Sequence, residues 1–232
     1  ADPSDPRHEI GLRYLLAMRS GLHFSEDYVD AETSDCLEML YGSGAHDVAG
    51  YAAGQPLEHP IGTVWNYSSG TTNIISRLIG STVGGGREGM ERFLRDELFD
   101  PIGMTSAEPR FDDAGTWVGS SYLYATARDF ARFGYLYLRD GVWDGHRILP
   151  EGWVDDARTP TAADEEDGGF YGHHWWVAGD ERGQFSANGY EGQRIVIVPS
   201  LDLVLVRLGK TPIEHAPALR EWIGDVIGCF DN

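Results

Sequence analysis

The chain of 232 residues contains one lysine, Lys210, and two cysteines, Cys36 and Cys229. Neither cysteine has a Cys-x-x-Cys partner, so they form no disulfide framework and are expected as two free, half-buried thiols. No Gly-rich loop ends in Lys-Ser/Thr, which excludes a P-loop. No Gly-x-Ser-x-Gly elbow is present, which argues against an α/β-hydrolase. There is no His-Glu-x-x-His. The pair His173-His174 falls in an expected strand, where neighbours point to opposite faces, so the two cannot easily grip one metal. No metal or other cofactor is implied. No apolar run approaches the roughly 20 residues of a membrane span. The opening Ala1-Asp2-Pro3-Ser4-Asp5-Pro6 lacks the basic start and apolar stretch of a signal peptide and is expected as a solvated loop. A chain that opens in mid-loop suggests a further N-terminal segment, or a second chain, that completes the fold.

Basic residues are nearly all arginine, and the formal net charge is −19. Such a surface repels phosphate backbones, so nucleic acid is not an expected partner. A salt-adapted proteome and a high-GC genome both account for this balance. Hydrophobic residues make up 41% and aromatics 12%, enough for a packed core. The length suits one domain or two intertwined subdomains.

Leu12, Leu15 and Leu16 give a short helical face ended by Gly21. Residues 22–63 are irregular apart from an apolar patch at Cys36–Leu40, and a loop this long usually shapes a site. Thr71, Ile74, Ile75, Leu78 and Ile79 repeat at helical spacing behind Ser68-Ser69-Gly70. Ser68 is expected as the cap. Gly84-Gly85-Gly86 is a turn. Met90, Phe93 and Leu94 mark another helix, closed by Pro101 and Gly103. Thr126-x-x-Asp129 is a capping signal ahead of a Phe130, Phe133, Tyr137 stripe. Asp164-Glu165-Glu166-Asp167 is expected as a solvated loop.

The period then changes to that of strands at His174–Val177, Phe185–Ala187, Ile195–Val198 and Leu203–Leu208. The last two flank Pro199-Ser200-Leu201-Asp202 and should form an antiparallel hairpin. Leu219, Trp222, Ile223, Val226, Ile227 and Phe230 form a closing helical stripe. The fold class is therefore α+β: one module, mainly helical over about residues 10–160, with sheet strands and a C-terminal helix over about 170–232. That helix should cover one face of a three- to four-stranded sheet. The other face is expected to be bare or covered from outside the chain.

Five segments occur in order: Leu15-Leu16-Ala17-Met18-Arg19-Ser20-Gly21-Leu22, Pro60 to Gly70, Pro101-Ile102-Gly103-Met104, Ala125 to Asp129, and Gly189-Tyr190-Glu191-Gly192-Gln193. Together, over about residues 10–230, they resemble the serine β-lactamase and penicillin-binding-protein superfamily, most closely the class C-like esterases and 6-aminohexanoate-dimer hydrolases. The resemblance implies a transpeptidase-like fold with its N-terminal part missing, and a site built from three motifs. Ser-x-x-Lys, carrying nucleophile and activating amine, occurs nowhere in the chain: the residue three before Lys210 is Arg207. Tyr67-Ser68-Ser69 matches the second motif. Ala187-Asn188-Gly189 stands where Lys-Thr-Gly would, without its cation, which disfavours a penicillin-type carboxylate.

The resemblance assigns catalytic roles to Tyr67, Ser69 and Tyr190. Tyr67 would shuttle protons, Ser69 would hold the network, and a backbone N–H at Tyr190 would serve an oxyanion hole. Asn188, Gly189, Tyr28 and Glu26 would contact substrate, and Tyr67 would face the Asn188–Tyr190 strand segment across one cleft. Bland readings stand beside these: Tyr67 as a packed aromatic, Asn188 as a turn residue, Gly189 and Gly192 as bulge glycines, and Trp175 and Trp176 as core. The implied function is cleavage of a small ester or amide by a serine acyl-enzyme whose Ser and Lys lie upstream. The alternatives are a non-catalytic binding or structural module and a peptidoglycan-directed carboxypeptidase. The 232 residues alone are expected to be inactive.

Overall fold

The computed structural model describes residues 4–30, 32–164 and 168–231. The chain forms two compact units, Ala1–Leu98 with Ala107–Tyr124, and Phe99–Ser106 with Ala125–Asn232. The expected helical stretch to residue 160 is therefore divided, because its last helices pack on the sheet.

The first unit holds helices α1 (Leu12–Leu16), α2 (Asp35–Tyr41), α3 (Val48–Gly54), α4 (Ser69–Val83) and α5 (Gly86–Leu94), and a two-residue ladder of β1 (Glu108–Pro109) with β2 (Leu123–Tyr124). Helices α2 and α3 correct the expectation of an irregular 22–63 stretch. Each starts on a short polar cap: Ser34 Oγ accepts from Leu37 N at 2.9 Å, and Asp47 Oδ1 from Gly50 N at 2.7 Å. Both are too short to show a helical period in sequence. Helix α4 packs against α1, α2, α3 and α5. Phe24, Cys36, Met39, Val48, Ala52 and Val118 form the core beside it. In α5, Met90 and Leu94 are buried as the stripe requires, but Phe93 is on the exposed side.

The second unit holds α6 (Ala127–Leu138), the hairpin β3 (Val142–Trp143) and β4 (His146–Arg147), and α7 (Trp153–Ala157). Six strands follow: β5 (Ala162–Asp164), β6 (Gly169–Tyr171), β7 (Trp176–Val177), β8 (Phe185–Gly189), β9 (Gln193–Val198) and β10 (Leu203–Arg207), and α8 (Ala216–Gly228) closes the unit. The sheet is antiparallel throughout, in the order β10-β9-β8-β7-β6-β5. The expected hairpin is present, with Val198 opposite Leu203 and Ile195 opposite Val206. Asp164 ends β5, and the rest of the acidic run (165–167) lies outside the described residues, as does 1–3. His173 and His174 are not in a strand, contrary to expectation. They sit in the turn before β7, with His174 at φ 63° and His173 Nδ1 2.9 Å from Asp156 Oδ2.

Alternation along β9 and β10 sends side chains to two faces. Val196, Val198, Leu203 and Leu205 meet Leu219, Ile223 and Ile227 of α8. Ile195, Ile197, Val204, Val206 and Phe185 meet Phe130, Phe133 and Tyr137 of α6, with Trp175 stacked among them. The second face is thus covered by the chain itself, and the expectation of a bare face is overturned. Helix α6, placed by its stripe and Thr126 cap, was available for this role. A second correction concerns α8: Trp222 and Phe230 are each 50% exposed. The helix covers the sheet through Leu219, Ile223 and Ile227, a narrower arc than the six-residue stripe.

Two details hold α6 in place. A Cβ on Gly134 would stand 2.7 Å from Val204 Cγ1 and 2.9 Å from Ile195 Cγ2, so the helix approaches the sheet where it has no side chain. Asp129, 2% exposed, accepts from Ser106 N at 2.8 Å, Ser106 Oγ at 2.6 Å and Arg132 Nη1 at 2.5 Å. Burial opposes its charge, but the bonds from Ser106 and Arg132 outweigh this and hold its carboxyl below the usual range.

Gly134→Val is expected to lower unfolding stability by about 1–3 kcal/mol through overpacking, measured by chemical denaturation. Asp129→Asn should lose a similar amount, about 1–3 kcal/mol. Because the folded pKa of Asp129 is depressed, its contribution is complete above the ordinary aspartate value and is lost as pH falls through the folded one. Acid denaturation of the variant should therefore show a shallower pH dependence than that of the parent chain.

Candidate active site

The sequence-predicted residues fall into two groups, one in each unit. In the first, the segment from Met18 to Tyr28 is laced to the loop entering α4. Asn66 N donates to Met18 O at 2.8 Å, Gly62 N to Arg19 O at 2.9 Å, and Asn66 Nδ2 to Phe24 O at 3.0 Å. Gly70 seats this contact, since a Cβ there would stand 2.5 Å from the Phe24 ring. Ser68 Oγ accepts from Thr71 N at 3.0 Å, the capping role expected of it.

Ser69 is buried, and its bonds run to Glu26. Its N–H donates to Glu26 Oε2 at 2.7 Å and its hydroxyl to Oε1 at 2.5 Å. Tyr28 OH also donates to Glu26 Oε1, at 2.5 Å. Glu26, expected as a substrate contact, thus has three donors from the protein. Asp35, at the start of α2, braces the same segment by accepting from Ser25 N at 2.8 Å and Tyr51 OH at 2.7 Å.

Tyr67 is partly buried beside this cluster. Burial, then the charges of Glu26 and Cys36, push its phenol well above the ordinary value. Tyr28 is raised in the same way, by burial and then Glu26. Cys36 is fully buried, and burial with the Glu26 charge pushes its thiol up to about 12, against a smaller opposing effect from Ser69. The thiol's membership of the cluster is not legible from spacing: it comes from α2, whose seven residues show in sequence only as an apolar patch. Cys229 is exposed, so the two thiols are one buried and one open.

In the second unit, Asn188 and Gly189 end β8, opposite Arg194 and Gln193 of β9. Strand β7 pairs β8 only at Phe185 and Ser186, so residues 187–189 extend beyond its ladder. Asn188 Oδ1 is buried with no hydrogen-bond partner among the described residues. Tyr190 was expected on the strand. It is instead the first residue of the turn Tyr190–Gly192 joining β8 to β9, 59% exposed, with Glu191 at φ 55°. Most of the bonds that hold this turn join residues distant in sequence and leave no local pattern. Gln193 Nε2 donates to Tyr190 O at 3.1 Å and Gly209 O at 2.7 Å, Thr211 N to Glu191 O at 2.9 Å, and Arg207 Nη1 to Gly192 O at 3.0 Å. The one lysine, Lys210, lies 3.3 Å from Glu191.

Among the described residues, no group of three or more His, Cys, Asp or Glu could hold a metal, and no helix is long and apolar enough to cross a membrane.

The helices and the antiparallel sheet match solved structures of the serine β-lactamase and penicillin-binding-protein fold. A putative 6-aminohexanoate-dimer hydrolase from Bacillus anthracis superposes with a TM-score of 0.79 at 24% identity, covering 93% of this chain and 60% of that one. A penicillin-binding protein from Bacillus halodurans gives 0.69 at 18% identity, over 96% and 74%. In sequence, a 6-aminohexanoate-dimer hydrolase from Paenarthrobacter ureafaciens is 34% identical over 245 residues, 90% of this chain and 56% of the relative. The beta-lactamase family model matches residues 1–226, and the chain belongs to that family. It spans little more than half the length of the hydrolases it resembles.

Two measurements test the cluster. At pH 8 a thiol reagent should modify Cys229 at once and Cys36 only after unfolding, giving one fast equivalent of two. Because the phenols and the Cys36 thiol have raised folded values, the stability they contribute is complete below the ordinary thiol value. It drains away as pH rises through that value, toward about 12 for the thiol. Alkaline denaturation should accordingly begin before most of the tyrosinate absorbance of Tyr67 and Tyr28 develops.

Proposed function

We propose that this chain belongs to a serine hydrolase that cleaves a small ester or amide through an acyl-enzyme, with the nucleophilic Ser and its Lys lying upstream of residue 1. The observation that carries this reading is the Tyr67-Ser68-Ser69 motif at the start of α4, with Ser69 tied to Glu26 and a high-pKa phenol beside it. The family assignment and the hydrolase activity named for the 34%-identical relative support it.

In this mechanism the serine oxygen forms a bond to the substrate carbonyl carbon as its proton leaves toward Tyr67 and the lysine amine. The resulting oxyanion accepts hydrogen bonds from the Tyr190 backbone N–H and the nucleophile's own N–H. Collapse expels the alcohol or amine, which takes up the proton passed through Tyr67, and water then attacks the acyl-enzyme and releases the acid. Isolated in this chain, Tyr67 is a poor base, since burial, Glu26 and Cys36 all favour the neutral phenol. An ammonium brought beside it would oppose those effects. Gly189 would admit substrate to the strand, and Asn188 and Tyr28 would contact it. With Ala187 at the place of the family's cation, an uncharged group suits that subsite better than a carboxylate.

The second reading is a non-catalytic binding module, favoured by the absence of Ser-x-x-Lys from all 232 residues. The gene sequence immediately upstream discriminates: a Ser-x-x-Lys tetrad there supports the hydrolase, and its absence supports the module. The 232 residues alone should neither react with a fluorophosphonate nor hydrolyse a p-nitrophenyl ester above a Tyr67→Phe control. A longer protein with the tetrad should do both, and its ester turnover should fall at least about a hundredfold on Tyr67→Phe, within the usual contribution of acid–base groups. Labelling of the short chain at Ser68, Ser69 or Ser186 would defeat this assignment of the nucleophile.

A further inference from the structure

The family motif that places Tyr67 and Ser69 says nothing of what holds them. Ser69 N–H is one of the backbone groups at the α4 N-terminus that have no partner within the helix. Its acceptor is not the local cap, Ser68, which serves Thr71 N at 3.0 Å. It is the carboxylate of Glu26, 43 residues earlier in the chain. Ser69 Oγ and Tyr28 OH donate to the same carboxylate, both at 2.5 Å. A group that accepts three hydrogen bonds and donates none is used as an anion. Placed at a helix N-terminus, that anion is also favoured by the helix dipole.

We propose that Glu26 is a positioning residue of this site: its carboxylate ties the first turn of α4, which begins two residues after Tyr67, to the segment carrying Tyr28, and its charge acts on the Tyr67 phenol. The proposal rests on the reading of Tyr67 as the proton-transfer group. It reassigns Glu26 from contacting substrate to holding the residues that do.

The groups whose charge bears on Tyr67 are Glu26 and Tyr28 from the 24–28 segment and Cys36 from α2. Of these, Tyr28 and Cys36 are raised by burial and then by Glu26, so both stay neutral at neutral pH. In this chain the carboxylate favours Tyr67 as a neutral phenol, and a cation brought beside it would be needed before it could accept a proton.

The test needs no turnover, so it can fail or succeed independently of the hydrolase reading. The 232-residue chain is labelled with ¹³C at tyrosine Cζ, the Tyr67 resonance is assigned with Tyr67→Phe, and the phenol is titrated in alkali. In Glu26→Gln the Tyr67 midpoint should fall by about one pH unit, a tenfold rise in phenolate at a given pH. In Ser69→Ala, which keeps the carboxylate, thermal stability should drop while the Tyr67 midpoint stays put. A purely structural role for Glu26 would lower stability in both variants and move the titration in neither. An unchanged midpoint in Glu26→Gln, or an equal shift in Ser69→Ala, overturns the proposal. If Glu26→Gln does not fold, acid titration of the unaltered chain decides. The Tyr67 and Tyr28 resonances should move together as the pH falls, and resonances that stay still overturn the proposal equally.

Discussion

A helix begins with backbone N–H groups that its own turns cannot satisfy, and in α4 the way they are satisfied links the fold to the site. Ser68 meets one need locally and Glu26 meets another from 43 residues away. Helix α4 packs against α1, α2, α3 and α5, so the position of its first turn is felt through the first unit. The same turn begins immediately after Tyr67. A carboxylate that a sequence motif does not mention thus anchors both the helix and the residues that the motif singles out.

The second unit rests on a different constraint. Strands β9 and β10 are apolar on both faces, so neither face tolerates water. Helix α8 covers one with Leu219, Ile223 and Ile227, and α6 covers the other with Phe130, Phe133 and Tyr137. Gly134 allows the close approach of α6, and the Asp129 network with Ser106 and Arg132 holds its first turn. The turn at Tyr190 then projects from the end of a strand pair that is buried on both sides. Gln193, Arg207 and Thr211 brace it through its backbone carbonyls.

Membership of the beta-lactamase family and the chemistry proposed for it fit the first unit's electrostatics in a specific way. Burial, the Glu26 carboxylate and the Cys36 thiol all favour the neutral form of Tyr67. Such a phenol is poised as a donor. Its use as an acceptor would require the charge of a lysine that these residues do not contain, which is why the nucleophile and its amine are proposed on the same upstream segment.

The sequence was informative wherever a pattern is local. Helix α4, the α6 stripe behind Thr126, the β9–β10 hairpin and the motif at Tyr67 all follow from spacing, caps or turn residues that lie within a few positions of one another. The short helices α2 and α3 were not legible, because seven residues hardly complete a period and their caps look like ordinary loop polars. The cover of the sheet's second face was missed for another reason: α6 was recognised as a helix, but which surface its aromatic stripe meets is a matter of packing across some sixty residues. Trp222 belongs to the apolar stripe of α8 by spacing yet stands half in water, since the sheet contacts a narrower arc than the stripe spans. For the proposed site, the residue types and their order are what the family resemblance rests on at Tyr67, Ser69 and the Asn188–Tyr190 segment. Tertiary structure alone decided that Glu26 closes on Ser69 and Tyr28 and that Cys36 lies beside them. A hydrogen bond between residues 26 and 69 leaves no trace in local periodicity: it exists only once the chain has folded back on itself and a carboxylate meets an unsatisfied helix end.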